Sequence, residues 1–251
     1  MPLDYARSLT GEHRTDDANR RLGGVLAFIA GAVNAGAFLA VHQYTSHMTG
    51  IVSSLADALA FGDVRLAASA FGAVASFLLG AIACAVLVNY ARRRHWRSQY
   101  ALPLLVEASL LLVFGSIGAR LASIDGLFVP ATVSLLCFIM GLQNAVISKI
   151  SRSEIRTTHV TGLLTDLGIE LGKLFYWNRL QPPPALRVVA NRERLRVLSL
   201  LILAFATGGV VGAIGFEYAG YATTVPLAVA LIALAGVPAV DDMRSHFDRK
   251  H

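Results

Sequence analysis

Hydrophobic positions along the chain gather into long unbroken runs, with the polar positions collected between them. Six runs, at 22–41, 66–90, 102–119, 127–147, 197–216 and 221–240, carry no charge except Glu107. Each is close to the ~20 residues a helix needs to cross a hydrocarbon core of ~30 Å. Two further segments, 47–61 and 159–175, are mostly apolar but hold acids, Asp57 in the first and Asp166 with Glu170 in the second. They are too short and too polar to be comfortable spans. Gly62-Asp63 breaks the first, and a long basic loop containing Pro182, Pro183 and Pro184 follows the second. Pro103 falls in the first turn of its run, where a missing N–H costs nothing.

The order of runs repeats, and so do the polar stretches between them. Residues 45–55 read TSHMTGIVSSL and residues 157–167 read TTHVTGLLTDL. Thr45, His47, Thr49, Gly50 and Leu55 thus match Thr157, His159, Thr161, Gly162 and Leu167. Phe28-Ile29, Gly31 and Asn34-Ala35 match Phe138-Ile139, Gly141 and Asn144-Ala145. Gly80-Ala81-Ile82 aligns with Gly212-Ala213-Ile214, and Pro103-Leu104 with Pro226-Leu227. Correspondences kept in one order predict an internal repeat, residues 22–121 and 127–240, between polar tails at 1–21 and 241–251. The first tail lacks the apolar core and small-residue cleavage site of a signal peptide.

Composition narrows the class. The chain is 55% hydrophobic and 15% charged, with a net charge of +6, where a soluble domain carries ~25% charged residues. The cations lie in short loops between apolar runs, as on the cytoplasmic side of membrane proteins, rather than in a nucleic-acid patch. If both short segments crossed, there would be eight spans and parallel halves, and the Arg92–Arg97 cluster would lie outside. If neither crosses, there are six, and the N-terminal tail, the Arg92 cluster, the Lys149–Arg156 loop and the basic loop all fall inside. The expected fold is therefore an all-α polytopic membrane protein of two inverted three-span repeats, each with one short non-crossing helix. Both tails would be cytoplasmic.

A helix that ends at membrane depth must turn its free N–H groups to protein, water or ligand, and that end favours anions. Thr49 and Thr161 are expected to cap the short helices, and Gly50 and Gly162 to let backbone approach closely. His47 and His159 could bind an anionic group or relay a proton; interfacial histidines bonded to backbone are the plain alternative. Asn34, Gln143 and Asn144 either bridge helices or flank a central site. Asp57, Asp166 and Glu170 are candidate proton-coupling carboxylates or cation ligands, against simple pairing with Arg65 or Lys173. Glu107 either has a role in its span or snorkels to the interface. Gly72, Ser76 and Gly80, with Ala204, Gly208 and Gly212, read as close helix packing. Cys84 and Cys137 read as small buried hydrophobes.

No nucleotide, serine-hydrolase or zinc-protease motif is present, so neither enzyme activity nor a metal or other cofactor is expected. The expected partners are the lipid bilayer and a small solute; oligomeric state stays open. SHMTG at 46–50, GLQNA at 141–145 and RTTHVTGLLTDLG at 156–168 resemble the YoaK-type family of bacterial integral membrane proteins, over about 20–240. That resemblance implies a bacterial inner-membrane protein with no established substrate. Ile51 departs from the family's pattern, which is associated with Asn after the first motif's Gly. The function expected is a small-solute transporter or channel, anionic or proton-coupled. The alternatives are a non-transporting scaffold or sensor, and a membrane metal or haem protein.

Overall fold

The computed structural model describes residues 16–94, 96, 98–121, 128–150, 158–176 and 187–248. Thr157, Arg97, Arg152–Arg156, the triple-proline turn and most of the N-terminal tail lie outside them. The described residues are helical almost throughout: α1 Asp16–Val41, α2 Met48–Phe61, α3 Val64–Arg93, α4 Ala101–Leu121, α5 Phe128–Ile150, α6 Val160–Phe175, α7 Arg192–Ala219 and α8 Thr224–Asp248. Helix α1 starts before the apolar run it was expected to match, and α8 runs on past Val240. Polar residues at both ends simply continue the i to i−4 ladder.

Four helical segments are long and apolar enough to cross a membrane: Asp17–Val41, Val64–Arg93, Pro130–Ile150 and the 45-residue stretch Arg192–Gly236. The last is broken at Gly220, which has φ 56° and ψ −140° and leads into the 3-10 turn Gly220–Thr223. Met48–Phe61 and Ala101–Ser116 are shorter apolar helices. Apolar side chains on α3 such as Phe71, Leu78, Leu79 and Val86 are exposed, as lipid contact requires.

The long helices have definite mutual directions. Gly24 lies by Leu200, Gly31 by Phe205 and Gly36 by Phe216, so α1 and α7 run the same way. Helices α3 and α5 also run together: Ala70 and Ala73, early in α3, cluster with Val133 and Cys137, early in α5, and further on Gly80 meets Leu142. The Gln143 side-chain amide on α5 donates to the Leu26 carbonyl on α1 at 3.1 Å. That contact joins the late part of α5 to the early part of α1, so these two oppose. Helix α4 opposes α5, since Tyr100 Oη at its start donates to the Lys149 carbonyl near the end of α5 at 3.4 Å. It also opposes α8, because Gly115 and Gly118 meet Thr224 and Tyr221. Thus α1, α4 and α7 point one way and α3, α5 and α8 the other. Arg20, Arg92, Arg93, Arg94, Lys149, Arg192 and Arg194 consequently gather at one end of the bundle. Tyr90 and Trp96 meet edge to face there at 6.4 Å, with the Arg94 guanidinium 5.4 Å from the Tyr90 ring centroid.

The packing follows a repeat-like pattern carried by four Phe-x-x-Gly units. A Cβ on Gly31 would collide with the Phe205 carbonyl, and one on Gly208 with the Phe28 carbonyl. The same reciprocal pair joins Gly141 to Phe77 and Gly80 to Phe138. Only glycine lets the backbones approach this closely. Since Gly31 corresponds to Gly141, the partner of Gly80 is Gly208. The alignment of Gly80 with Gly212 is therefore one helical turn out, because small residues four apart give neighbouring turns the same look. Ser76, Gly80 and Cys84 stand opposite Ala204, Gly208 and Gly212 in the repeat, while a Cβ on Gly72 would meet only open space.

Candidate functional site

Both polar motifs are built alike. Each short helix takes a histidine as its N-cap, His47 with φ −90° and ψ 67° and His159 with φ −86° and ψ 56°. Neither imidazole bonds to the first-turn N–H groups. Thr49 and Thr161 lie inside the first turn, so the expected threonine caps are replaced by histidine caps. Each ring instead lies over the glycine three residues on: a Cβ on Gly50 would stand 2.7 Å from His47 Nδ1, and one on Gly162 would collide with His159 Nδ1. The glycines thus make room for an imidazole rather than for another backbone. His47, Thr49, His159 and Thr161 are all exposed.

The stretch before each helix is tied to the preceding long helix. The Asn34 Oδ1 accepts from Ser46 Oγ at 2.9 Å and from Ser46 N at 3.3 Å. In the other half, Asn144 Oδ1 accepts from Thr158 Oγ1 at 2.6 Å. Asn34 lies seven residues before the end of α1, and Asn144 six before the end of α5. Ser46 and Thr158 therefore lie roughly 10 Å back from the end of the preceding long helix, just before each short helix begins. His42, at φ 53°, makes the turn in the first half. The asparagines hold the motifs at depth, and Gln143 bridges α5 to α1. Thr45 is buried with its hydroxyl unpartnered.

The short helices then run back beside α3 and α7. Ile51 and Ala58 are the buried residues of α2, and Leu163 and Glu170 those of α6. Position 51 lies in a cluster with Ala70, Ala73, Val133 and Cys137, so isoleucine fits there as a core residue. The acids differ between the halves. Asp57 is exposed, and no ion pair joins it to Arg65 among the described residues. Asp166 pairs with Arg194 of α7 at 2.9 Å. Glu170 accepts from Lys173 Nζ at 2.8 Å and from the Asn191 N–H at 2.8 Å. The Lys173 bond first, and the Asn191 bond second, hold its carboxyl below the ordinary carboxylate range. Glu107 does not snorkel; it is fully buried.

A cavity of about 790 Å³ opens at the start of α6, bounded by His159, Thr161, Asp166 and Arg194, with Leu201 on its α7 wall and the ion pair of Arg20 from α1 with Glu193 of α7. Leu201 lies nine residues into α7, about 13 Å along the helix, so the cavity reaches well past the cationic end. The first motif does not border it, and nothing described joins His47 to His159. Among the described residues no three His, Cys, Asp or Glu side chains are grouped to hold a metal ion.

Sequence reasoning found both motifs and their asparagines but missed two things. The Phe-x-x-Gly unit occurs four times and was legible as a pattern. Ser46 and Thr158 are the hydroxyls that the asparagines hold, and their polarity just before the histidines was the available signal. No curated protein and no solved structure matches the chain. Residues 22–237 match the family described as "Protein of unknown function (DUF1275)", and the chain belongs to this YoaK-like family.

Proposed function

We propose that this family member is a six-span transporter or channel for a small anionic solute, made of two inverted three-span halves. The opposed directions of α1 and α3 support six spans. Had α2 crossed between them, they would run the same way, and the like holds for α6 between α5 and α7. The opposed directions of the mates α1 and α5, and of α4 and α8, support inversion, since parallel halves would have parallel mates. The gathering of cations at one end supports cytoplasmic termini, and the family resemblance supports a bacterial inner membrane.

The observation that carries the solute reading is the cavity at the start of α6, where the His159 side chain bonds none of the first-turn N–H groups. Partial positive charge at a helix N-terminus, the His159 imidazole and the Thr161 hydroxyl suit a carboxylate or similar anion, while the Thr165 hydroxyl already donates to the Thr161 carbonyl at 2.9 Å. Asp166 stands in the same wall, where its pair with Arg194 can be exchanged for a solute or a proton. By the repeat, His47, Thr49 and Gly50 would serve the opposite face. No reaction chemistry is assigned to these residues. A panel of small organic acids and inorganic anions, screened by thermal shift and followed by counterflow of the hit in proteoliposomes, tests this. Thr161→Val and Asp166→Asn are expected to slow counterflow at least tenfold, and Thr49→Val to slow it as well. Unchanged counterflow in all three variants would sink the residue assignment.

One observation favours a second reading, a scaffold or sensor. The exposed faces of α2 and α6 repeat as Thr49, Ser53, Ala56 and Ala60 against Thr161, Thr165, Gly168 and Gly172, a hydroxyl-and-small stripe suited to helix association. Co-purification of a stoichiometric partner, together with no flux for any binding anion, would select it.

A further inference from the structure

Two acids are buried among the described residues, and their surroundings differ. Glu170 has an ammonium and an N–H group as partners. Glu107, one and a half turns into α4, has neither a hydrogen bond nor an ion pair at Oε1 or Oε2 and has no exposed surface.

The groups around it cannot neutralise a charge. On α5, the Lys149 side chain is exposed and makes no salt bridge with Glu107, and Cys137 is the other titratable residue. On α3, Cys84 lies within electrostatic reach of both Lys149 and Glu107, while Arg92 and Arg93 are exposed at the cationic end, where Arg92 Nε donates to Gln99 Oε1. Helix α8 holds no titratable residue from 224 to 240. Just before α4, Tyr100 is already bonded to the Lys149 carbonyl. That bond also sets the register. Glu107 is seven residues beyond Tyr100 and Gln143 is six residues before Lys149, so both lie about 10 Å along their helices from it, at one level. Gln143 donates its amide to Leu26 and keeps a buried Oε1 without a donor.

An unpaired carboxylate in such a place takes up a proton rather than stay charged. We infer that Glu107 is a proton-binding site inside the membrane, its buried carboxyl carrying the proton. The added O–H supplies a donor at the level where Gln143 lacks one. This site is independent of the transport reading, since a protein that moves nothing can still hold a proton there.

A neutral buried carboxyl reacts with an apolar carbodiimide. The carboxyl oxygen bonds to the central carbon, and its proton passes to a nitrogen. The acyl group then shifts to nitrogen to give a stable N-acylurea, and nothing leaves. The full-length protein in liposomes at pH 7, treated with dicyclohexylcarbodiimide and digested, is expected to carry this adduct on Glu107, with complete loss of it in Glu107→Gln. Infrared difference spectra guard against poor reagent access. The protonated-carboxyl C=O band is expected in the wild type and in Asp57→Asn, and to shift without disappearing in Glu107→Asp. Identical spectra for wild type and Glu107→Gln, with no adduct in either, would overturn the inference. So would an adduct confined to other acids.

Discussion

Replacing Gly208 by alanine tests the packing most directly. The new Cβ would collide with the Phe28 carbonyl and approach the Phe28 Cα. A carbon and a carbonyl oxygen approach no closer than ~3.3 Å, so α1 and α7 must part by on the order of 1 Å. Backbone meets backbone here, so no side-chain rotation relieves the clash. Overpacking of this kind costs ~1–3 kcal/mol, and the upper end applies where nothing can swing away. Alanine recovers about 1 kcal/mol of helix propensity over glycine, leaving roughly 2 kcal/mol net destabilisation. For a chain of this size that lowers the melting midpoint by ~4–8 °C. Gly80→Ala, against the Phe138 carbonyl, should match it because the two contacts have the same reciprocal glycine-to-carbonyl geometry. Gly72→Ala, facing open space, should be neutral or slightly stabilising. The assay is thermal unfolding in detergent, followed by size-exclusion chromatography after heating. Equal midpoints for Gly208→Ala and Gly72→Ala would refute the close-packing reasoning, and a large Gly208→Ala effect beside a neutral Gly80→Ala would refute the equivalence.

Single cysteines at Asp63 and Arg94 should label from opposite sides of the membrane, Asp63 from outside; labelling of both from one side would end the six-span reading. Gly50→Ala and Gly162→Ala should push the His47 and His159 rings aside, shifting their NMR signals while changing stability by less than ~0.5 kcal/mol because the rings are exposed. An unmoved His159 signal in Gly162→Ala would contradict the ring-over-glycine geometry. Because Glu170 is held below its ordinary value of 4.5, its stabilising contribution is full above that value and is lost as pH falls through the lower folded value. Glu170→Gln should therefore flatten the acid side of the stability profile, and an unchanged acid side would show that the Lys173 and Asn191 contacts do not act.

Much of the architecture was legible in the chain because lipid imposes simple rules. Charge-free runs of about 20 residues mark the helices, and the placement of arginines marks one face. The duplicated threonine, histidine and glycine positions mark the two short helices. These are local properties, set by what each segment can bury. The partners were not legible. Phe28 and Gly208 are as well matched by sequence as Phe28 and Gly212, and only the register of α1 against α7 separates them. Whether threonine or histidine caps the short helices depended on where the chain turned back, which the Asn34–Ser46 and Asn144–Thr158 bonds decide. The acids show the same limit. Asp57, Asp166, Glu170 and Glu107 all read as charged residues in apolar surroundings. Tertiary packing alone leaves the first exposed, pairs the next two, and buries the last without a partner. Within apolar runs a side chain's chemistry depends on what faces it from another helix, and that information lies in no single segment.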